Sequence, residues 1–156
     1  TNEGLEMWSL ASGGIRNFRG DVIAENVRIP VNSAVWWDGD LLREMLDRGS
    51  ISKYDWTTQQ CHTIIDFNSE GCAFNNGSKN NPCLSADIIG AWREEVIVRS
   101  RDNSELRIYS TTIPTQHRLP SLMEDIPYRI GIATQNVAYN QPPHTGYYIG
   151  AETKTF

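Results

Sequence analysis

The stretch Asn75-Asn76-Gly77-Ser78-Lys79-Asn80-Asn81-Pro82 sets one cation among small amides and a hydroxyl. Asn-Gly and Asn-Pro make it a loop, and reversing the chain needs little beyond the Asn-Gly. An amine in such a place can take a proton when it is itself unprotonated, or clamp a carboxylate when it is charged. The plain alternative is an exposed loop cation. A second polar concentration runs over Gln135-Asn136-Val137-Ala138-Tyr139-Asn140. Asn136, Tyr139 and Asn140 are spaced to share one face of a helix end, where they can bind a ligand or merely cap the helix. Asp38-Gly39-Asp40 places two carboxylates around a turn glycine, which is half of a calcium loop or an ordinary turn. Arg93, Glu94 and Glu95 read as an inter-strand salt-bridge set.

Short strands must position these groups. Leu5 to Ser9, Asp21 to Glu25, Ala34 to Trp37 and His62 to Asp66 have strand composition and are bounded by turn residues. Leu41 to Leu46 and Ile51 to Asp55 flank Asp47-Arg48-Gly49-Ser50, which predicts a hairpin with a four-residue loop. Beyond the polar loop, Leu84 to Ile89, Ala91 to Val98 and Leu106 to Tyr109 repeat the pattern. Gly39, Arg43-Glu44 and two apolar positions find counterparts at Gly90, Arg93-Glu94 and beyond, about fifty residues on. A period of that size with several strands per unit predicts propeller blades. Residues 1–156 then form a single all-β domain, a partial β-propeller with an internal repeat roughly over 36–56 and 87–110. From Pro127 to about Tyr139, apolar Ile130, Ala133 and Val137 at helical spacing predict one short helix near 127–139, with Ile126 just ahead.

Composition narrows the partners. The 156 residues carry a net charge of -5, with no basic tract, so nucleic acid is not expected. No run approaches the ~20 apolar residues of a membrane span, and no secretory signal pattern opens the sequence. Cys61, Cys72 and Cys83 match no zinc spacing. A Cys72–Cys83 bridge would staple the base of the polar loop; the other reading is three free thiols. Blades of about fifty residues give only about three, whereas closed propellers have roughly four to eight. Open sheet edges are normally avoided, so the chain either pairs with other copies or is a piece of a longer protein, and the second is favoured.

An ordered set of segments carries a family likeness. It comprises Glu6-Met7-Trp8-Ser9, Trp36-Trp37-Asp38-Gly39-Asp40-Leu41-Leu42-Arg43-Glu44, Ile51-Ser52-Lys53-Tyr54-Asp55, Asn75-Asn76-Gly77-Ser78-Lys79, Leu84-Ser85-Ala86-Asp87, Trp92-Arg93-Glu94-Glu95-Val96-Ile97 and Gln135 through His144. Together they resemble the C-terminal third of the rhamnogalacturonan lyases of polysaccharide lyase family eleven. The resemblance implies an eight-bladed β-propeller, of which this chain holds about three blades. It also implies calcium around a central cleft and a secreted, extracellular protein. The implied activity is β-elimination at rhamnosyl-α-1,4-galacturonate bonds of the rhamnogalacturonan-I backbone of pectin. On the matching positions, Asn76, Gly77, Ser78, Lys79 and Tyr139 fall where the family contacts sugar. Residue type, rather than the resemblance, offers Asn136 through its amide oxygen and Asp38 and Asp40 as the candidate metal ligands. Ser78 stands where the family usually has Thr, Ala91 where an Asp is usual and Ser33 where Phe is common.

The chemistry follows from residue types. Elimination requires removal of the weakly acidic C5 proton beside a uronate, and a cation on the C6 carboxylate stabilises the developing charge. Lys79 suits the base if its amine, ordinarily of pKa ~10.4, is lowered by the site. Clamping the uronate is its rival role. Tyr139 can stack on a sugar, hydrogen-bond it, or protonate the leaving oxygen. Asn76-Gly77-Ser78 is also a glycosylation sequon, read here as coincidental. Two other functional classes stay open: a non-catalytic pectin-binding β domain, and a structural repeat piece that matters only for assembly.

Overall fold

The computed structural model describes residues 5–137, 141–150 and 153. The strands are β1 (Gly14–Arg16), β2 (Val22–Glu25), β3 (Ala34–Val35), β4 (Glu44–Asp47), β5 (Ser50–Asp55) and β6 (Gln60–Asp66). They continue as β7 (Cys72–Ala73), β8 (Leu84–Ala86), β9 (Glu95–Ser100) and β10 (Leu106–Tyr109). A 3₁₀ turn at Leu122–Glu124 leads into helix α1 (Ile126–Thr134).

The all-β class holds, but the partial propeller does not. The strands lie in three separate antiparallel sheets: a β1-β2 pair, a β3-β4-β5-β6 meander, and a sheet centred on β9 with β10 on one edge. β7 and β8 both bond to the other edge of β9, at Ser100 and Arg99 and at Ile97 to Glu95 respectively. Only the middle sheet is a four-stranded meander, and no strand follows Tyr109 among the described residues. The sequence period counted hairpins, and similar hairpins sit here in unlike, sandwich-like sheets that form no closed ring among the described residues. The segments 36–56 and 87–110 contain the β4-β5 and β9-β10 pairs.

The meander and the β9 sheet share one core, built from Val35, Trp37, Leu46 and Ile51 against Phe67, Cys72, Phe74, Val96 and Val98. Alternation on β9 supplies it, since Val96 and Val98 are fully buried while Ile97 and Arg99 are not. The β4-β5 hairpin turns on Arg48 and Gly49 alone, both at positive φ, so its loop has two residues rather than four. Such a turn matches the right-handed twist of the strands. Gly49 is required twice over, because a Cβ there would meet the Asn68 side chain at 2.5 Å. A second core of Trp36, Leu41, Trp92, Leu122, Tyr128 and Ile149 seats the helix.

Asp125 caps α1 by accepting from the Tyr128 N–H at 3.0 Å, with Pro127 in the first turn as expected. The buried face is not the apolar one. Tyr128 and Gln135 are buried and Ile132 is partly so, whereas Ile126, Ile130, Ala133 and Val137 are exposed. The helix also stops at Thr134, short of the expected end, because Gln135 turns its amide onto β8. Leu5 to Ser9 contributes only a single bridge, between Met7 and Arg16. No helix of the described residues is long and apolar enough to cross a membrane.

Candidate functional site

The Lys79 loop interrupts what is otherwise one line of pairing along β9, leaving after β7 and returning at β8. A bridge between Asn75 and Asn81 closes its neck, with N–H to carbonyl distances of 2.8 and 3.0 Å. Asn76 and Asn80 both take positive φ, which asparagine tolerates better than most residues. Asn76, Gly77 and Ser78 form an exposed tip, and Lys79 is half-buried beside it.

Lys79 Nζ donates to Asn32 Oδ1 at 3.3 Å, and Asn32 Nδ2 donates back to the Lys79 carbonyl at 3.3 Å. Asn32 is itself anchored by a 2.6 Å bond to Asp47 on β4. The amine therefore rests on an amide oxygen, and no carboxylate forms an ion pair with it among the described residues. Asn32 was not foreseen from the sequence. It lies far from Lys79 along the chain, in a Pro-Val-Asn-Ser stretch that carries no periodic signal.

The polar helix end meets this loop at its exit. Gln135 Oε1 accepts from the Ser85 N–H at 2.8 Å and its Nε2 donates to the Ser85 carbonyl at 2.9 Å, so the side chain mimics a neighbouring strand. Asn136 Nδ2 donates to the Cys83 carbonyl at 2.6 Å. These amides fasten the loop base; the three cysteines are free and no disulfide does so. Tyr139 and Asn140 lie outside the described residues.

Of Arg93, Glu94 and Glu95, only Glu94 forms an ion pair among the described residues, with Arg43. Arg93 donates to the Ile113 carbonyl. Glu94, fully buried, accepts from the Trp36 N–H at 2.8 Å and from the Tyr128 hydroxyl at 2.6 Å, with Arg43 at 3.4 Å. Burial raises its carboxyl above the usual range, against Arg43 and the Tyr128 bond. Glu95 accepts from the N–H groups of Ile88 and Ile89.

Asp38, Asp40 and Glu44 bring carboxylate oxygens within 4.8 Å of one another. The centre is taken by Lys53, whose Nζ bonds Asp38, lies 2.5 Å from Asp40 and 3.2 Å from Glu44. Burial alone would lower the Lys53 ammonium, but the bonds from Asp38 and Asp40 outweigh it and raise it above the ordinary range. Burial, then the Asp38 charge, push the Glu44 carboxyl up to about 7 against its two backbone donors. The oxygens suit calcium in kind. A divalent ion ~3 Å from that ammonium would nevertheless meet a repulsion on the order of 10 kcal/mol at an effective dielectric of ~20. Calcium at Asp38 and Asp40 does not fit while Lys53 keeps its place.

A cleft of about 560 Å³ has Trp8, Trp36, Tyr54, Trp56, Tyr147 and Tyr148 among its walls. Arg43 reaches it, stacked over Trp36 and 3.2 Å from His144 Nδ1. Lys79 and the loop tip do not line this cleft.

A half-buried amine on a polar loop of an antiparallel β domain, with the ordered segments around it, defines a class. Residues 1–156 match the family described as rhamnogalacturonan lyase family 11, C-terminal domain. The chain belongs to that family and is its C-terminal domain. It is 50% identical over 147 residues to rhamnogalacturonan endolyase YesW of Bacillus subtilis, covering 94% of this chain and 23% of that protein. To rhamnogalacturonan exolyase YesX of the same organism it is 47% identical over 151 residues, covering 92% and 24%. The crystal structure of YesW superposes with a TM-score of 0.90 at 47% identity, over 99% of this chain and 26% of that one. A Bacillus licheniformis rhamnogalacturonan lyase gives 0.91, also at 47% identity, over 98% and 26%. The chain thus spans about a quarter of the length of the curated relatives it matches.

Proposed function

We propose that this chain works within a longer, extracellular rhamnogalacturonan lyase and that its Lys79 loop meets the pectic backbone. The observation that carries the reading is the half-buried Lys79 amine, held by the Asn32 amide oxygen beside an exposed Asn76-Gly77-Ser78 tip. In a chain of this family, that arrangement supports an amine presented to a polymer. The tip offers backbone and hydroxyl groups to sugar without burying them.

The reaction is elimination across a rhamnosyl-α-1,4-galacturonate bond. The unprotonated Lys79 amine takes the C5 proton of the galacturonate. The electron pair of that C–H bond forms the C4–C5 double bond as the C4–oxygen bond breaks. Tyr139 gives its proton to the departing oxygen. Asn32, braced on Asp47, fixes where the amine points. Calcium, where a full-length enzyme binds it, supplies charge neutralisation at the C6 carboxylate. No step assigned to these residues runs through it.

The test is Lys79→Ala in a full-length lyase carrying this domain, read by the ultraviolet absorbance of the unsaturated product on rhamnogalacturonan. Loss of a general base lowers turnover by roughly 10²–10⁴-fold while substrate affinity is kept. Near-normal turnover sinks the base assignment. Lost affinity with turnover largely kept would make Lys79 a carboxylate clamp.

A further inference from the structure

The Asp38-Asp40-Glu44 cluster has two features that an ordinary acidic turn lacks. Glu44 is wholly buried, and its Oε1 finds no hydrogen-bond partner; it faces the Lys53 ammonium instead. The other oxygen, Oε2, is already engaged by the N–H groups of Trp37 and Asp38. A buried carboxylate oxygen aimed into a ring of carboxylates marks a place that suits a cation.

A second turn in the same molecule serves as an internal control. Glu95 Oε2 accepts from the N–H groups of Ile88 and Ile89, at the same backward offsets along the chain as Glu44 to Trp37 and Asp38. The positions answering to Asp38 and Asp40 are there Ile89 and Ala91. The strand partner that reaches Glu95 Oε1 is the Ser110 hydroxyl, at 3.2 Å. One buried carboxylate is satisfied by a hydroxyl. Where two more carboxylates join it, the neighbouring strand supplies an ammonium.

We propose that Lys53 is a built-in counter-cation, filling permanently the place a divalent ion would take among Asp38, Asp40 and Glu44. The turn between β3 and β4 is thereby held without metal, and it becomes a divalent-cation site only when Lys53 is removed. The hold is tripartite. The ammonium ties β5 to the Asp38-Gly39-Asp40 turn and to the base of β4. Asp40 and Asp38 are further fixed by their own turn bonds, Asp38 Oδ1 accepting from the Asp40 N–H and Asp40 Oδ1 from the Leu42 N–H. The donors of a hard-cation site are thus preformed around a charge that the chain itself provides.

The test counts calcium bound per chain, by equilibrium dialysis and elemental analysis, in the full-length protein carrying this domain. Asp38→Asn/Asp40→Asn binds as many ions as the wild type. Lys53→Met binds one more, and adding Asp38→Asn/Asp40→Asn to it removes that ion again. An ion lost from Asp38→Asn/Asp40→Asn in the presence of Lys53 overturns the proposal, because metal then already sits there. Failure of Lys53→Met to gain an ion overturns the latent site. If Lys53→Met does not fold, Lys53→Gln replaces it, and the carboxylate variant decides by itself whether metal occupies the wild-type turn.

Discussion

Removing the Tyr128 hydroxyl is the sharpest probe of how the helix is held on the sheets. The ring is fully buried, and its oxygen donates to Glu94 Oε1 at 2.6 Å while accepting from the Asp87 N–H at 2.9 Å. Tyr128→Phe leaves a buried carboxylate oxygen without its donor, which costs about 1.5–3 kcal/mol for a charged group. It also strands the Asp87 N–H, at about 1–3 kcal/mol. The more apolar ring returns about 1 kcal/mol, so the net loss is about 3 kcal/mol. At roughly 2–4 °C per kcal/mol for a chain of this size, the melting temperature falls by about 10 °C.

Urea unfolding followed by tryptophan fluorescence reads this directly, since Trp36 and Trp92 pack in the same cluster with ring centroids 6.4 Å apart. A double-mutant cycle with Glu94→Gln isolates the bond, and the coupling is expected to exceed about 1 kcal/mol. Burial raises the Glu94 carboxyl, so acid neutralises it and the cost of Tyr128→Phe shrinks as pH is lowered. A loss below about 1 kcal/mol at neutral pH, or strict additivity in the cycle, would refute the reasoning.

Two further outcomes follow from the same structure. Gln135→Ala strands the backbone N–H and carbonyl of buried Ser85, costs about 2–3 kcal/mol, and speeds amide exchange at Ser85 before it does so at Val96. Glu44 has a carboxyl of usual value 4.5 that the fold pushes up to about 7. Between those values the folded chain holds a proton that the unfolded chain has released, so stability falls as pH rises through that window, by up to about 3 kcal/mol. Glu94 works in the same direction and His144, lowered by burial and Arg43, in the opposite one. The check is therefore the difference between wild type and Glu44→Gln, which removes the Glu44 part of the slope; parallel profiles would contradict it.

Much of the fold could be read from local signals, and the failures are physical ones. β10 was legible in full because Asp102-Asn103-Ser104 isolates Leu106 to Tyr109, and the polar loop was legible from Asn-Gly and Asn-Pro. The sheet count was not, since pairing between distant strands leaves no mark on a local period. The helix misled because periodicity assumes that apolar residues face inward. The inward face of α1 carries the Tyr128 phenol that satisfies Glu94, and the Gln135 amide just past its end satisfies Ser85, while Ile126 and Ile130 on the helix and Val137 beyond it are exposed. A buried polar contact is worth more to this helix than its apolar stripe.

For the candidate site the missing half was closer to hand than it looked. The loop lysine could be named from its composition, but its support, Asn32 braced on Asp47, joins segments that no short-range rule connects. Lys53 is different. With Leu46 opposite Ile51 and Met45 opposite Ser52, the β4-β5 register puts Glu44 opposite Lys53. That register was already implied by the predicted hairpin, whichever loop length is taken. A glutamate facing a lysine across two strands, with Asp38-Gly39-Asp40 folding back over them, leaves three carboxylates around one ammonium. The ammonium's occupation of that centre argues against calcium at the turn, and the Glu44 oxygen that faces it gives the reason the lysine stays.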